Sequence, residues 1–400
     1  MTQSLIFTII YSIIISYIYK KKIYGSSLLF IYTGVNLLTS FLIVDNQTIK
    51  EFLSYSMLCN IFILFGYLLI KNKNSVFDIK NQIINPNILN KVFLIFSLFI
   101  FYHYFMIGIP FLSENIDTLR FNVRASGLFG LPSRLAFYGI TVLFVITLLS
   151  FEYDFVKKIH LVGYFLIIFL FILLQSGKSS VLPLFFYLII CIPFINNKKK
   201  YIYKKKNFIF LIILILYYFV FIYNRLQSIS SDNIFEYYIL RKTEIAYNSG
   251  IFLLYNMSHN DFNFVFNNAV LNDLFYPIFT LFEENVTTLN EQLSRALYFN
   301  YTSLSVPVTP GWFAYHYFIF RESALLTFAY SFCFGIFNGF LENKAMASSS
   351  LVKKTTFITI MYWMWAGYTK GNIYYIVLNL LLTLLILFMI NIYFKKNKTE

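Results

Sequence analysis

The chain has 400 residues, of which 58% are hydrophobic and only 12% charged. Soluble domains carry about a quarter charged residues, so half that share excludes a soluble globular protein and a disordered one alike. The net charge of +14 would suggest nucleic acid in a soluble chain, but here the lysines stand in short clusters between apolar runs, the pattern of membrane topology.

A spanning helix needs about 20 apolar residues. Runs of that kind occur near 2–19, 25–44, 52–70, 92–110, 135–151, 160–175, 179–195, 207–223, 313–340, 355–369 and 372–394. They predict an all-α integral membrane protein of about 11 transmembrane helices. The N-terminal Met1-Thr2-Gln3-Ser4 lacks the positive segment of a signal peptide, so the first run is expected to stay in the membrane with its N-terminus outside. An odd number of spans then puts the C-terminus in the cytoplasm. The runs 160–175 and 179–195 could form one broken hairpin around Gln175-Ser176-Gly177-Lys178, and 313–340 is long enough to include an interfacial lead-in. Residues 1–223 thus hold eight helices with an external loop at 111–134. Residues 224–312 form a large external loop, and 313–400 hold the last three helices.

The lysines fix the orientation. The segments 20–22, 71–91, 157–158, 198–206, 344–354 and 395–398 contain 21 of the 25 lysines, and an eleven-span path starting outside puts every one of them on the cytoplasmic side. The seven arginines do the opposite: Arg120, Arg124, Arg134, Arg225, Arg241, Arg295 and Arg321 fall on the external side or at its boundary. A guanidinium grips phosphate or carboxylate with a planar fork that an ammonium lacks. An outer surface that avoids Lys and uses Arg reads as an anion site, against the plainer reading of headgroup snorkelling and loop ion pairs.

Two external segments are long. The first, 111–134, holds three arginines with Gly127, Gly130 and Pro132; the second, 224–312, has 89 residues and eight acids against four bases. Loops of that length are usually functional. Within the second, 234–257 and 264–282 have apolar faces too short to span, so they are expected to lie at the interface as amphipathic helices.

Motifs of soluble chemistry are missing: no phosphate-binding loop, dinucleotide fingerprint, paired-His zinc motif or GxSxG. Glu152-Tyr153-Asp154 sits beside Lys157 and Lys158 and reads as a solvated face. Cys59, Cys191 and Cys333 all fall in apolar runs and are expected to be small buried hydrophobes. No metal or cofactor site follows from these residues. The spans are nearly free of ionisable groups, with His103, Asn36 and Asn60 the main polar cases, which argues against an ion-coupled transporter. Of the four histidines, His160 is expected inside, and His103, His259 and His316 near the outer face. His316 ends Pro307-Val308-Thr309-Pro310-Gly311-Trp312-Phe313-Ala314-Tyr315-His316, where the large loop returns to the membrane. A neutral imidazole there can take a proton from a sugar hydroxyl.

The plan of many spans, one large external loop in the second half and arginines in two external loops resembles the bacterial O-antigen or oligosaccharide repeat-unit polymerases of the Wzy type, which are related to O-antigen ligases. Local echoes are Arg124-Ala125-Ser126-Gly127, Gln175-Ser176-Gly177-Lys178-Ser179-Ser180, Asn224-Arg225, and Pro310-Gly311 through His316. Lys178 stands where many relatives have Arg, and Ala314-Tyr315-His316 where many carry an acidic residue. The resemblance implies a metal-independent, inverting glycosyltransferase of the bacterial inner membrane. It would move a growing glycan from undecaprenyl diphosphate to the terminal sugar of another lipid-linked repeat unit, in O-antigen, lipopolysaccharide or capsular polysaccharide synthesis. With His316 taken from the residue reading as the base, the expected catalytic residues are His316, Arg124, Arg225 and Arg241, with Arg120, Lys178, Arg295, Tyr315 and His259 binding substrate. No cofactor and no nucleic acid enters; the implied partners are the lipid-linked oligosaccharide, the bilayer, a chain-length regulator and a flippase.

Three other readings compete. A lipid-linked oligosaccharide flippase should have twelve or more spans, short loops and charges along a central cavity, which the 89-residue loop opposes. An O-antigen ligase shares the chemistry and differs in its acceptor. A polyprenyl-phosphate-sugar glycosyltransferase would need an acid in the first external loop, where Asp45 is the candidate.

Overall fold

A computed structural model describes residues 2–21, 25–44, 47–70, 86–109, 112, 131–152, parts of 163–174, 178–194, 272, 311–320, 323–370 and 373–396. Its described elements are helices: α1 (Thr2–Lys21), α2 (Ser26–Ile43), α3 (Gln47–Ile70), α4 (Pro86–Ile107), α5 (Leu131–Glu152), α6 (Lys178–Cys191) with a 3-10 turn at Ile192–Phe194, α7 (Gly311–Ile319), α8 (Ala324–Ala347), α9 (Leu351–Lys370) and α10 (Ile373–Lys396). No strand occurs among the described residues. Six of these helices are long and apolar enough to cross a membrane, α1 to α5 and α8, so the chain is a helical membrane protein. The eighth run, 207–223, lies outside the described residues, as does nearly all of 224–312.

The helices fall into two compact units. The first comprises Met1–Asn72, Lys205–Phe340 and Met364–Leu378, and the second Lys73–Lys204, Leu341–Trp363 and Asn379–Glu400. In the first, α1 packs on α2 and α2 on α3. Asn60, fully buried in α3, gathers four elements. Its amide nitrogen donates to Phe30 O and to the Tyr368 hydroxyl, both at 3.1 Å, and its oxygen accepts from the Tyr11 hydroxyl at 3.0 Å. Trp365 adds a second tie between α9 and α2, donating to Leu29 O and Thr33 Oγ1. Many other hydroxyls inside the helices turn back to the carbonyl one turn earlier, as Thr33, Ser331 and Thr355 do.

Glycine sets the contact between α3 and α8. A Cβ on Gly335 would stand 2.0 Å from Ile63 O, one on Gly66 would stand 2.2 Å from Phe332 O, and one on Gly339 would stand 2.9 Å from Tyr67 O. Residue 63 faces 335 and 67 faces 339, so the two helices run parallel. The spacing Gly335-Ile336-Phe337-Asn338-Gly339 is the small-residue pattern by which membrane helices approach backbone to backbone.

In the second unit α5 is the centre: every residue from Val142 to Ser150 is buried. It packs antiparallel on α4, with Gly139 over the Phe96 ring and Ser133 bonded to the His103 imidazole. His103 therefore serves packing, with Phe137 and Tyr104 edge-on to its ring. The described residues of 163–174 meet α4 in parallel order: Tyr164 bonds Asn90 and stacks on Phe93, and Tyr104 donates to Phe171 O at 2.9 Å.

Two expectations are corrected. Cys59 and Cys191 are buried, but Cys333 is exposed on α8; lipid is as apolar as a protein core, so an apolar run does not tell the two faces apart. The spans are also less free of charge than their runs imply, because Glu342 in α8 and Lys354 in the first turn of α9 are both fully buried.

The close approach of α3 and α8 makes a direct prediction. Gly335→Leu must push a backbone carbonyl away, and overpacking costs about 1–3 kcal/mol; Asn60→Ala leaves buried partners unmade at a similar cost of about 1–3 kcal/mol. Both variants should melt several degrees lower in a thermal unfolding scan in detergent, whereas Leu325→Ala, on an exposed position, should leave the midpoint unchanged.

Candidate functional site

The sequence reading treats 313–340 as one apolar run. The structure divides it into two helices, α7 and α8, joined at residues 320–323. Ser323 opens α8 as its cap: its Oγ accepts the Leu326 N–H at 3.3 Å, and its carbonyl accepts that of Thr327. The charged pair Arg321-Glu322 lies at this break, outside the described residues.

The ring contacts show how the two helices lie. Trp312 meets Ser331 and Phe334, and His316 and Phe320 both meet Tyr330. The start of α7 reaches as far along α8 as Phe334, and its end meets Tyr330, so the pair forms an antiparallel hairpin. Trp312 stands beside residues seven to ten past Ala324, about 10–15 Å along the α8 axis. With 9 residues, α7 is about 14 Å long, half of what a bilayer core requires. It is a short helix laid along the first half of α8, with residues 312–316 buried. Non-spanning backbone at such depth is stable only where protein covers it. Its first residue, Gly311, has φ 78, a conformation that glycine takes at no steric cost.

Packing holds α7 on both sides. Phe313 stacks on Tyr55 at 5.0 Å and meets Phe52 edge-on at 5.4 Å, both on α3. Trp312 donates from Nε1 to Ser331 Oγ at 3.0 Å and lies 5.3 Å from the Tyr368 ring, the same tyrosine that Asn60 holds.

His316 lies at the centre of this packing and is 2% exposed. Its Nδ1 is 2.8 Å from Trp312 O. A carbonyl can only accept, so Nδ1 carries the proton, and in the neutral ring Nε2 carries the lone pair. Nε2 is buried and has no hydrogen-bond partner among the described residues. The ring is covered by Trp312 at 3.9 Å and by Tyr330, stacked at 4.7 Å.

Of the expected site residues, the structure brings together His316 and Tyr315, whose rings are 5.4 Å apart. Lys178 is the first residue of α6, in the second unit. Arg120, Arg124, Arg225, Arg241, Arg295 and His259 lie outside the described residues, as do Arg321, His160 and Asp45. Arg134 is half-buried in the first turn of α5. No three metal-ligating side chains converge among the described residues. Trp312 and Tyr330 are neighbours of His316 and Ser331 bonds Trp312; neither Tyr330 nor Ser331 stands out in the sequence. The four-residue spacing of Trp312 and His316, which puts them on one helix face, was the available signal.

Compared with known proteins, the chain matches no family model, no curated protein and no solved structure.

The hairpin is testable without activity. In a single continuous helix residues 316 and 330 would be about 21 Å apart, beyond any short bridge. With Cys59, Cys191 and Cys333 replaced by Ala, the pair His316→Cys and Tyr330→Cys should be joined in high yield by a short bifunctional thiol reagent, read as a cross-linked peptide by mass spectrometry.

Proposed function

We propose that the chain polymerises lipid-linked oligosaccharide repeat units, transferring a glycan from undecaprenyl diphosphate to the terminal sugar of a second lipid-linked unit. The observation that carries the reading is His316: a buried imidazole whose Nδ1 is committed to a carbonyl and whose Nε2 has no partner among the described residues. On this reading Nε2 takes the proton of the acceptor hydroxyl. The oxygen attacks the anomeric carbon from the face opposite the leaving diphosphate, so the configuration inverts.

The leaving group departs with its own negative charge. It needs neither a nucleotide nor a redox step, only preorganised cations where charge develops. The all-Arg external set supplies them, with Arg124, Arg225 and Arg241 in the leading role and Arg120, Arg295, Lys178, Tyr315 and His259 contacting substrate. The reading places the protein in the bacterial inner membrane with eleven spans, the N-terminus outside, and 224–312 external. Lysine segregation supports that orientation. The short α7, which follows the proposed external loop directly, would then bring His316 below the membrane surface on the outer side, near the depth of a lipid diphosphate.

The glycan ladder on a gel, from cells carrying each variant at matched expression, tests the reading. His316→Gln should abolish polymer while leaving one repeat unit on the acceptor. Charge-assisted bonds of about 1.5–3 kcal/mol predict losses of roughly 10- to 150-fold for Arg124→Ala, Arg225→Ala and Arg241→Ala. Arg→Lys at the same positions should already impair the ladder, because an ammonium does not replace a bidentate fork. Full ladders from His316→Gln and from all three alanine variants would end the proposal.

A further inference from the structure

A proton acceptor works only if the ring cannot turn over. Rotating the His316 imidazole by half a turn would carry Nδ1 away from the Trp312 carbonyl and free the proton to move to Nε2. Nε2 would then be a donor and useless as a base. What prevents this lies partly on α7 and partly on α8. Trp312 covers the ring at 3.9 Å and Tyr330 stacks on it at 4.7 Å. The two aromatics are themselves parallel, with centroids 5.6 Å apart.

Trp312 is fixed in turn. Its indole N–H, which can only donate, is given to Ser331 Oγ at 3.0 Å, and the Ser331 hydroxyl donates to Thr327 O at 2.8 Å. Trp312, Ser331 and Thr327 are all buried, so water does not compete for these bonds. Two consecutive residues of α8, Tyr330 and Ser331, thereby control both the face of the imidazole and the tryptophan that bonds it.

We propose that Trp312, Tyr330 and Ser331 are positioning residues: a clamp that holds His316 in one tautomer, with the Nε2 lone pair as the atom offered to the acceptor hydroxyl. The clamp's purpose rests on the reading of His316 as the proton acceptor, but its geometry can be measured separately. Ser331→Ala takes away the acceptor for the indole, and Trp312→Phe keeps a ring there without the N–H. Tyr330→Leu removes the stacked face, and Tyr330→Phe keeps it.

The experiment uses the full chain, labelled with nitrogen-15 histidine, in lipid nanodiscs. Difference spectra against His316→Gln assign the two nitrogens of this ring. The expected wild-type signal is a single tautomer protonated at Nδ1. Ser331→Ala, Trp312→Phe and Tyr330→Leu should each give exchange-averaged nitrogens or a second tautomer, and Tyr330→Phe should restore the wild-type signal. The rate of ladder growth in cells at matched expression should fall about tenfold in the three disrupting variants, a part of the roughly 10²–10⁴-fold that general base catalysis supplies, and recover in Tyr330→Phe. A single Nδ1-protonated tautomer in all variants would overturn the clamp. So would a Tyr330→Phe variant as slow as Tyr330→Leu. If the ring signals move as expected while His316→Gln still builds full ladders, the clamp stands and the reading of His316 as the base fails.

Discussion

An amide buried among apolar helices must find its hydrogen bonds inside the protein, because lipid offers none. Asn60 meets that demand with three bonds to three other helices, and the first unit is arranged around it. Tyr11, Phe30 and Tyr368 are the partners that bring α1, α2 and α9 to α3. Tyr368 then touches Trp312, and the Trp312 carbonyl holds His316. One polar side chain in the middle of a span is thus linked through two aromatic residues to the histidine that the functional reading depends on. The glycine contact between α3 and α8 does the complementary work. It brings the backbones close without any polar group and so sets where Tyr330 and Ser331 stand.

Much of this was legible in the sequence, and the part that was not has a physical reason. Apolar runs of about 20 residues locate α1 to α5 because a bilayer imposes a length. That length carries no direction. An apolar stretch that turns back on itself has the composition of one that continues, and so 313–340 reads as one span with an interfacial lead-in. Only Arg321-Glu322-Ser323 marked the fold-back. Cys333 was misread for a related reason, since a lipid-facing position and a core position select the same residues. The buried Glu342 and Lys354 escaped because charges at the end of a run are counted with the adjoining loop.

The candidate site divides along the same line. The motif ending at His316 could be found from its place at the end of the expected large loop, and the ring's tautomer could not. That depends on a carbonyl four residues earlier and on two residues of the next helix. The arginine set has the opposite character. Its case is entirely in the sequence, in the contrast between lysines expected on the cytoplasmic side and arginines expected outside, and it uses the difference between a point charge and a planar fork. In the proposed function the two lines meet in one chemistry, a base for a hydroxyl and cations for a diphosphate, and neither calls for a nucleotide.

That chemistry has a stoichiometry. The most direct test is reconstitution of the purified full chain in liposomes with lipid-diphosphate-linked repeat units extracted from cells that lack it, without nucleotide and with a chelator present. The account predicts glycan chains of increasing length, with one undecaprenyl diphosphate released for each glycosidic bond formed. Recovery of all the repeat units as supplied, with no free diphosphate, or polymer that forms only when a nucleotide is added, would contradict it.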